Sequence, residues 1–275
     1  MELPWALGPP DGRYLLRAEG ALPEASPAHV LVVATLGAAE RRRLQRPKRE
    51  ANPQPQPEPV VTGRATVIDV GEPFSDDAAA RAWLSRAGEP ELEAGLAVLN
   101  RALHSFRIVT ADPYITPVGR HQLLVGRVGF GAGEQVADGL WTAASELLMK
   151  VGRRKRSAVL QPQARLAAAL NGRERTLASQ ELTLRARLDL DQGRMREAAL
   201  QLLVALDAAL AELAVDPVAA ALAERLDELR GRREATTAAA QAALAGPLDG
   251  GQLESVEFTL KRLEAVFRAR AVANA

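Results

Sequence analysis

A change of residue grammar around Gln161-Pro162-Gln163 constrains this chain more than any other feature. Before it, short β-branched runs such as Val30-Leu31-Val32-Val33 and Ala65-Thr66-Val67-Ile68 alternate with helical spacing. After it, Ala, Leu, Arg and Glu at helical spacing carry the chain almost to its end. The pattern predicts an α+β domain over residues 1–151, a basic linker over 152–161 and an all-helical bundle over 162–275. A chain of 275 residues with 47% hydrophobic content can fill two cores. With aromatics at 4%, those cores must be mainly aliphatic.

Composition excludes several classes of function. Cysteine is absent, which removes disulfide frameworks, thiolate metal sites and cysteine nucleophiles together. The start, Met1-Glu2-Leu3-Pro4-Trp5, lacks a basic segment followed by an apolar one and does not read as a signal peptide. The longest apolar stretch, Ala198 to Val215, is broken by Gln201, Asp207 and Glu212, so no membrane span is expected. These points suggest a soluble cytoplasmic protein. Lysine occurs only at Lys48, Lys150, Lys155 and Lys261 while arginine and alanine abound, the usage of a GC-rich bacterial genome.

In the first half, Gly12 to Ala18 and His29 to Leu36 read as strands. A loop follows, from Arg41 to Pro59, in which alternate prolines block helix and ladder bonding. Val60 to Val70 reads as the next strand. Ser75-Asp76-Asp77 starts a helix that Gly88 closes, and a second helix runs from about Glu91 to Ser105 with Leu92, Leu96, Leu99 and Leu103 on one face. Arg107 to Thr110 and Gln122 to Phe130 are expected as strands, and Glu134 to Met149 as a helix. This order is not strict βαβ alternation and favours a mixed or antiparallel sheet. In the second half, helices are expected over 162–170, 174–192, 196–214, 217–230 and 234–245, with a last one after Asp249-Gly250-Gly251.

Around Gly193 the helical half resembles a tetratricopeptide-repeat hairpin over residues 174–214. Gly193-Arg194-Met195-Arg196-Glu197-Ala198 matches that family's inter-helix turn, and Ala198, Leu202, Ala205 and Leu206 fall at its packing positions. Arg185 and Asp189 depart from the family pattern, and no proline closes the unit. The resemblance implies protein or peptide binding in a helical groove; an ordinary helical bundle is the alternative.

Three further patterns invite chemistry. The glycines of Gly129-Phe130-Gly131-Ala132-Gly133-Glu134 stand between a strand and an expected helix, where backbone N–H groups can hold phosphate. Arg120, Arg127, Gly131, Gly133 and Glu134 are therefore ligand-binding candidates. The spacing lacks the dinucleotide fingerprint's later glycine, and a tight turn explains it equally. His104, Asp112 and His121 are the catalytic candidates, although no metal-binding or cofactor motif accompanies them. The arginine clusters at 41–49 and 153–156 could contact nucleic acid, yet no stacking aromatics lie nearby. In the last helix, Leu253, Val256, Leu260, Leu263 and Phe267 recur at three-four spacing and are the candidate partner-binding seam.

The leading expectation is a non-enzymatic interaction or adaptor protein that docks a partner or its own twin through the helical domain, with no cofactor. The alternative is an enzyme or small-ligand-binding protein with its site near the Gly129–Glu134 turn. A nucleic-acid-associated factor is the third reading.

Overall fold

The computed structural model describes residues 1–18, 22, 24–37, 60–147, 166–172 and 175–273. The proline-rich loop, both arginine clusters and the basic linker lie outside these residues. Internal contacts divide the chain into two compact units, Met1–Gly152 and Arg153–Ala275. The first is α+β with an antiparallel sheet, and the second is helical.

The first unit is built on β1 (Glu2–Leu3), β2 (Gly12–Leu16), β3 (His29–Leu36) and β4 (Thr62–Asp69), in the order β1-β4-β3-β2. Every pairing is antiparallel. Alternation along the strands puts Leu31, Val33 and Ala65 in a core with Leu92, Leu96, Leu99 and Leu103. Those leucines form one face of α2 (Glu89–Thr110), which follows α1 (Asp77–Leu84). The Asp76 carboxylate caps α1 by accepting the Ala79 N–H at 2.7 Å. A buried asparagine ties α2 to the chain beyond it: Asn100 Nδ2 donates to the Val118 carbonyl at 3.0 Å, and Oδ1 accepts the Val118 N–H at 2.7 Å.

Two expectations are corrected here. Arg107 to Thr110 is no strand; it continues α2, which ends at Ala111 in the left-handed region at φ 52°. Residues 134–147 of the expected helix to Met149 do not form one either, and its last two positions lie outside the described residues. The segment Gly133–Val136 makes one 3-10 turn, and Gly139 at φ +81° takes a backbone conformation that an α-helix excludes. The chain then returns as β6 (Ala143–Leu147), antiparallel to β5 (Gly126–Phe130). The glycines serve that hairpin. A Cβ at Gly129 would stand 2.6 Å from the Ala143 carbonyl oxygen, and one at Gly131 would stand 2.7 Å from Val136 Cγ2.

The second unit contains α3 (Ala178–Asp191), α4 (Met195–Ala214), α5 (Ala223–Ala245) and α6 (Gly250–Ala273), preceded by a helical stretch at 166–170. The expected helices at 217–230 and 234–245 are one: α5 runs through Gly231, after a 3-10 turn at Ala219–Leu222. Successive helices are antiparallel. Arg196 Nε, early in α4, donates to the Ala243 carbonyl late in α5 at 2.6 Å, while Arg233 and Asp207 pair at mid-length. Arg187 of α3 pairs with Glu264 of α6 at 2.7 Å, which closes the ring into an up-down-up-down bundle. Small residues at Ala198, Ala205, Ala209 and Ala243 let the helices approach, and Leu202, Leu206, Leu229, Leu260 and Leu263 fill the space between them.

Candidate binding cleft

The first unit contains a cleft of about 1050 Å³, large enough for a small ligand or a short peptide. One wall is β4 from Arg64 to Asp69, and the opposite wall is β5 with the glycine turn after it. Glu91, Gly95 and Val98 of α2 border it, as do Val136, Gly139 and Trp141 from the hairpin connection. Aromatic rings concentrate here in a chain that has few. Phe74 lies 5.4 Å from Trp83 and 6.2 Å from Phe130, centroid to centroid, and all three line the cleft with Trp141.

The near end of the β4 wall is covered by β1. Ala65 exchanges both backbone bonds with Met1: Met1 N donates to the Ala65 carbonyl, and Ala65 N–H donates to the Met1 carbonyl, each at 2.9 Å. On the opposite edge, Val70 N–H donates to the Ala28 carbonyl at 3.1 Å. Bonding direction alternates along a strand, so Thr66 and Ile68 address β3 while Val67 and Asp69 face the β1 side. Because β1 has two residues, no described strand stands beside Val67 or Asp69. On its other side β1 bonds to the lead-in of β5, with Glu2 N–H to the Val125 carbonyl and Leu124 N–H to the Glu2 carbonyl, both at 2.9 Å.

Most charged groups around the cleft already have structural duties. Asp77 pairs with Arg81 at 2.8 Å, and Asp76 caps α1. Glu91 accepts the Gly88 N–H at 2.6 Å, a backbone bond that holds its carboxyl below the usual range. Arg127 is clamped between Glu2 at 3.0 Å and Glu146 at 3.1 Å. Arg64 differs: its guanidinium lies against the Gly139 turn, and no carboxylate among the described residues pairs with it. Burial pushes the Met1 amine down to about 6; Glu2 opposes that shift, and Arg127 and Arg64 add to it. The buried Nδ1 of His29, another residue of the cleft, has no hydrogen-bond partner.

The candidates from sequence fare unevenly. Arg127, Gly131 and Gly133 line the cleft, but the helix N-terminus they were to serve is a hairpin turn. Arg120 donates to Glu89, a bond that raises its pKa further, and Glu134 faces Arg13 at 3.6 Å on the surface. Neither lines the cleft. Nor do His104, Asp112 or His121. His104 sits within α2 rather than at its end, Asp112 accepts the Tyr114 N–H at 2.9 Å, and His121 belongs to a 3-10 turn. Among the described residues no group of three His, Asp or Glu could hold a metal ion.

The candidate partner seam is internal. Val256, Leu260 and Leu263 are fully buried in the bundle core, and Leu253 and Phe267 pack against it. No described helix is long and apolar enough to cross a membrane. Sequence reasoning missed Phe74, Trp83, Phe130, Trp141 and Arg64. Two of the five phenylalanines and two of the three tryptophans meet in the cleft, which could not be seen because these residues are distant in sequence. No family model, curated protein or solved structure matches the chain, so the cleft is read from its own geometry.

Proposed function

We propose that this is a non-enzymatic binding protein whose recognition site is the cleft of the first unit. The observation that carries this reading is the cluster of aromatic rings around one cavity. Aromatic faces and backbone donors recognise a ligand without chemistry. Four of the carboxylates that line the cleft, Glu2, Asp76, Asp77 and Glu91, are already engaged in ion pairs or helix capping. Docking thus moves from the helical half, where the apolar seam is consumed by its own bundle, to the α+β half.

The test is an affinity selection from mixed peptide and metabolite libraries on the full chain, repeated with Trp83→Ala. Ligands retained by the parent should bind at least about tenfold more weakly to the variant, as loss of an aromatic anchor generally produces. Ligands indifferent to Trp83→Ala, or turnover of any retained ligand, would overturn the reading.

A further inference from the structure

Phe74, Trp83, Phe130 and Trp141 line the cleft, yet none of them belongs to the aliphatic core of the first unit. Phe74 is 45% exposed, a large apolar ring turned to solvent in a chain with few aromatics. It packs against two other rings without stacking flat. Its plane is turned by 46° from that of Trp83 and by 68° from that of Phe130. Rings inclined in this way present their π faces in different directions and not as one plate. Their centroids stand 5.4 and 6.2 Å from that of Phe74, so a group seated against Phe74 meets a second ring at a similar distance. An aromatic face is negative, and it attracts a cation within about 6 Å of the centroid.

The charges beside these rings have the same sign as their faces. Residues 69–77 set Phe74 among four carboxylates, Asp69, Glu72, Asp76 and Asp77, and contain no lysine or arginine. All four line the cleft. Only Asp77 has an ion-pair partner among the described residues, Arg81 at 2.8 Å. Asp69 accepts the Gly71 N–H at 2.9 Å and Asp76 the Ala79 N–H at 2.7 Å, bonds that bring no countercharge. The arginines of the cleft are placed elsewhere. Arg127 is held by Glu2 and Glu146, and Arg64, near the start of β4, lies against Gly139.

These features select among ligands. An anion is repelled by the ring faces and by the carboxylates alike. A metal ion requires converging oxygen or nitrogen ligands, and no group of three His, Asp or Glu among the described residues offers them. A primary ammonium has three N–H groups to satisfy, which rings do poorly. A fully methylated ammonium has none, and its methyl groups pack directly on aromatic faces. We infer that the cleft takes a small organic cation with a quaternary ammonium head, seated against Phe74 and its neighbouring rings, with the carboxylates of residues 69–77 as counterions. This rests on the cleft being the recognition site, and it goes further by naming the ligand's chemical class.

The experiment titrates the full chain by isothermal calorimetry with choline, with ethanolamine and with the neutral analogue of choline in which carbon replaces nitrogen. Choline should bind at least about tenfold more tightly than either, because it alone joins positive charge to a methylated surface. Phe74→Leu keeps an apolar side chain at an exposed position and should weaken choline at least about fivefold. Glu72→Gln should weaken it by about threefold, with a smaller dependence on salt. Circular dichroism checks that both variants stay folded; should Phe74→Leu unfold, the three ligands on the parent chain decide alone. Equal affinity for choline and its neutral analogue makes the site merely apolar and overturns the inference. Equal affinity for ethanolamine makes the carboxylates sufficient without the rings, and it overturns the inference too. So does the absence of choline binding, or choline binding that a folded Phe74→Leu leaves unchanged. In each of these cases, library ligands that are lost in Trp83→Ala keep the cleft as the recognition site with a different ligand class. If there are none, both readings fall.

Discussion

Single polar residues decide how the bundle is held at its ends. The side chains of Arg270 and Asp216 are each only 4% exposed and pair at 2.8 Å, and Arg270 also donates to the Arg175 carbonyl at 3.1 Å. Removing one partner leaves a buried charge uncompensated. Asp216→Ala is expected to cost the bundle about 3–5 kcal/mol, read from urea unfolding of the full chain. Glu212 does related work for α3, whose N-cap position is Leu177 and has no side-chain cap of its own. Its carboxylate, carried by α4, accepts the Ala178 and Ser179 N–H groups at 3.1 and 3.0 Å and the Ser179 hydroxyl at 2.6 Å. Burial raises the Glu212 pKa, but these hydrogen bonds outweigh burial and leave it below the usual 4.5. The folded state therefore holds the charged form more firmly than the unfolded chain does. The stabilisation is present above the unfolded value and is lost as pH falls through the folded one. Acid titration should show a loss of bundle stability below about pH 4.5 that Glu212→Gln lacks; parallel titrations of the two proteins would contradict it. None of these roles was legible in sequence. An aspartate, a glutamate and an arginine inside apolar runs look like solvated positions until the helices that bury them are placed.

At the scale of elements, periodicity was reliable where one helix or strand buries one continuous face. It placed β3 and the leucine face of α2. It failed from Glu134 to Leu147, where spacing suited a helix and three-dimensional closeness decided otherwise. The turn glycines are required by the hairpin's approach to itself, so Gly129→Ala should destabilise the first unit by about 1–3 kcal/mol through overpacking against Ala143. Near-ultraviolet circular dichroism, which follows Trp83 and Trp141, should show an earlier thermal transition. The last helix gives a different lesson: a seam at three-four spacing has the same pattern whether it meets a partner or its own neighbours. Here Leu260 and Leu263 face the bundle. Leu260→Lys is expected to unfold the second unit, a burial of charge that exceeds about 3 kcal/mol. Limited proteolysis should then release a resistant first unit. Around Gly193 at φ +75°, Ala198, Leu202, Ala205 and Leu206 are buried, so the hairpin positions marked by the repeat resemblance do pack. The pairing of α3 with α6, however, closes the ring that a repeat array would leave open.

For the whole molecule, the change of grammar near residue 161 was the informative signal, because a sheet and a helical bundle demand different periods of the same chain. The cleft left much weaker traces. Its aromatics come from the β4–α1 connection, α1, β5 and the hairpin loop, which no local pattern brings together. Only Arg127 and the glycine turn pointed to it, and for a different physical reason. The central claim is that the aromatic cleft of the first unit is the recognition site, and comparing the ligands retained by the full chain and by Trp83→Ala tests it most directly. The account predicts that retained ligands bind the variant at least about tenfold more weakly. Equal affinity for the two proteins would contradict the account.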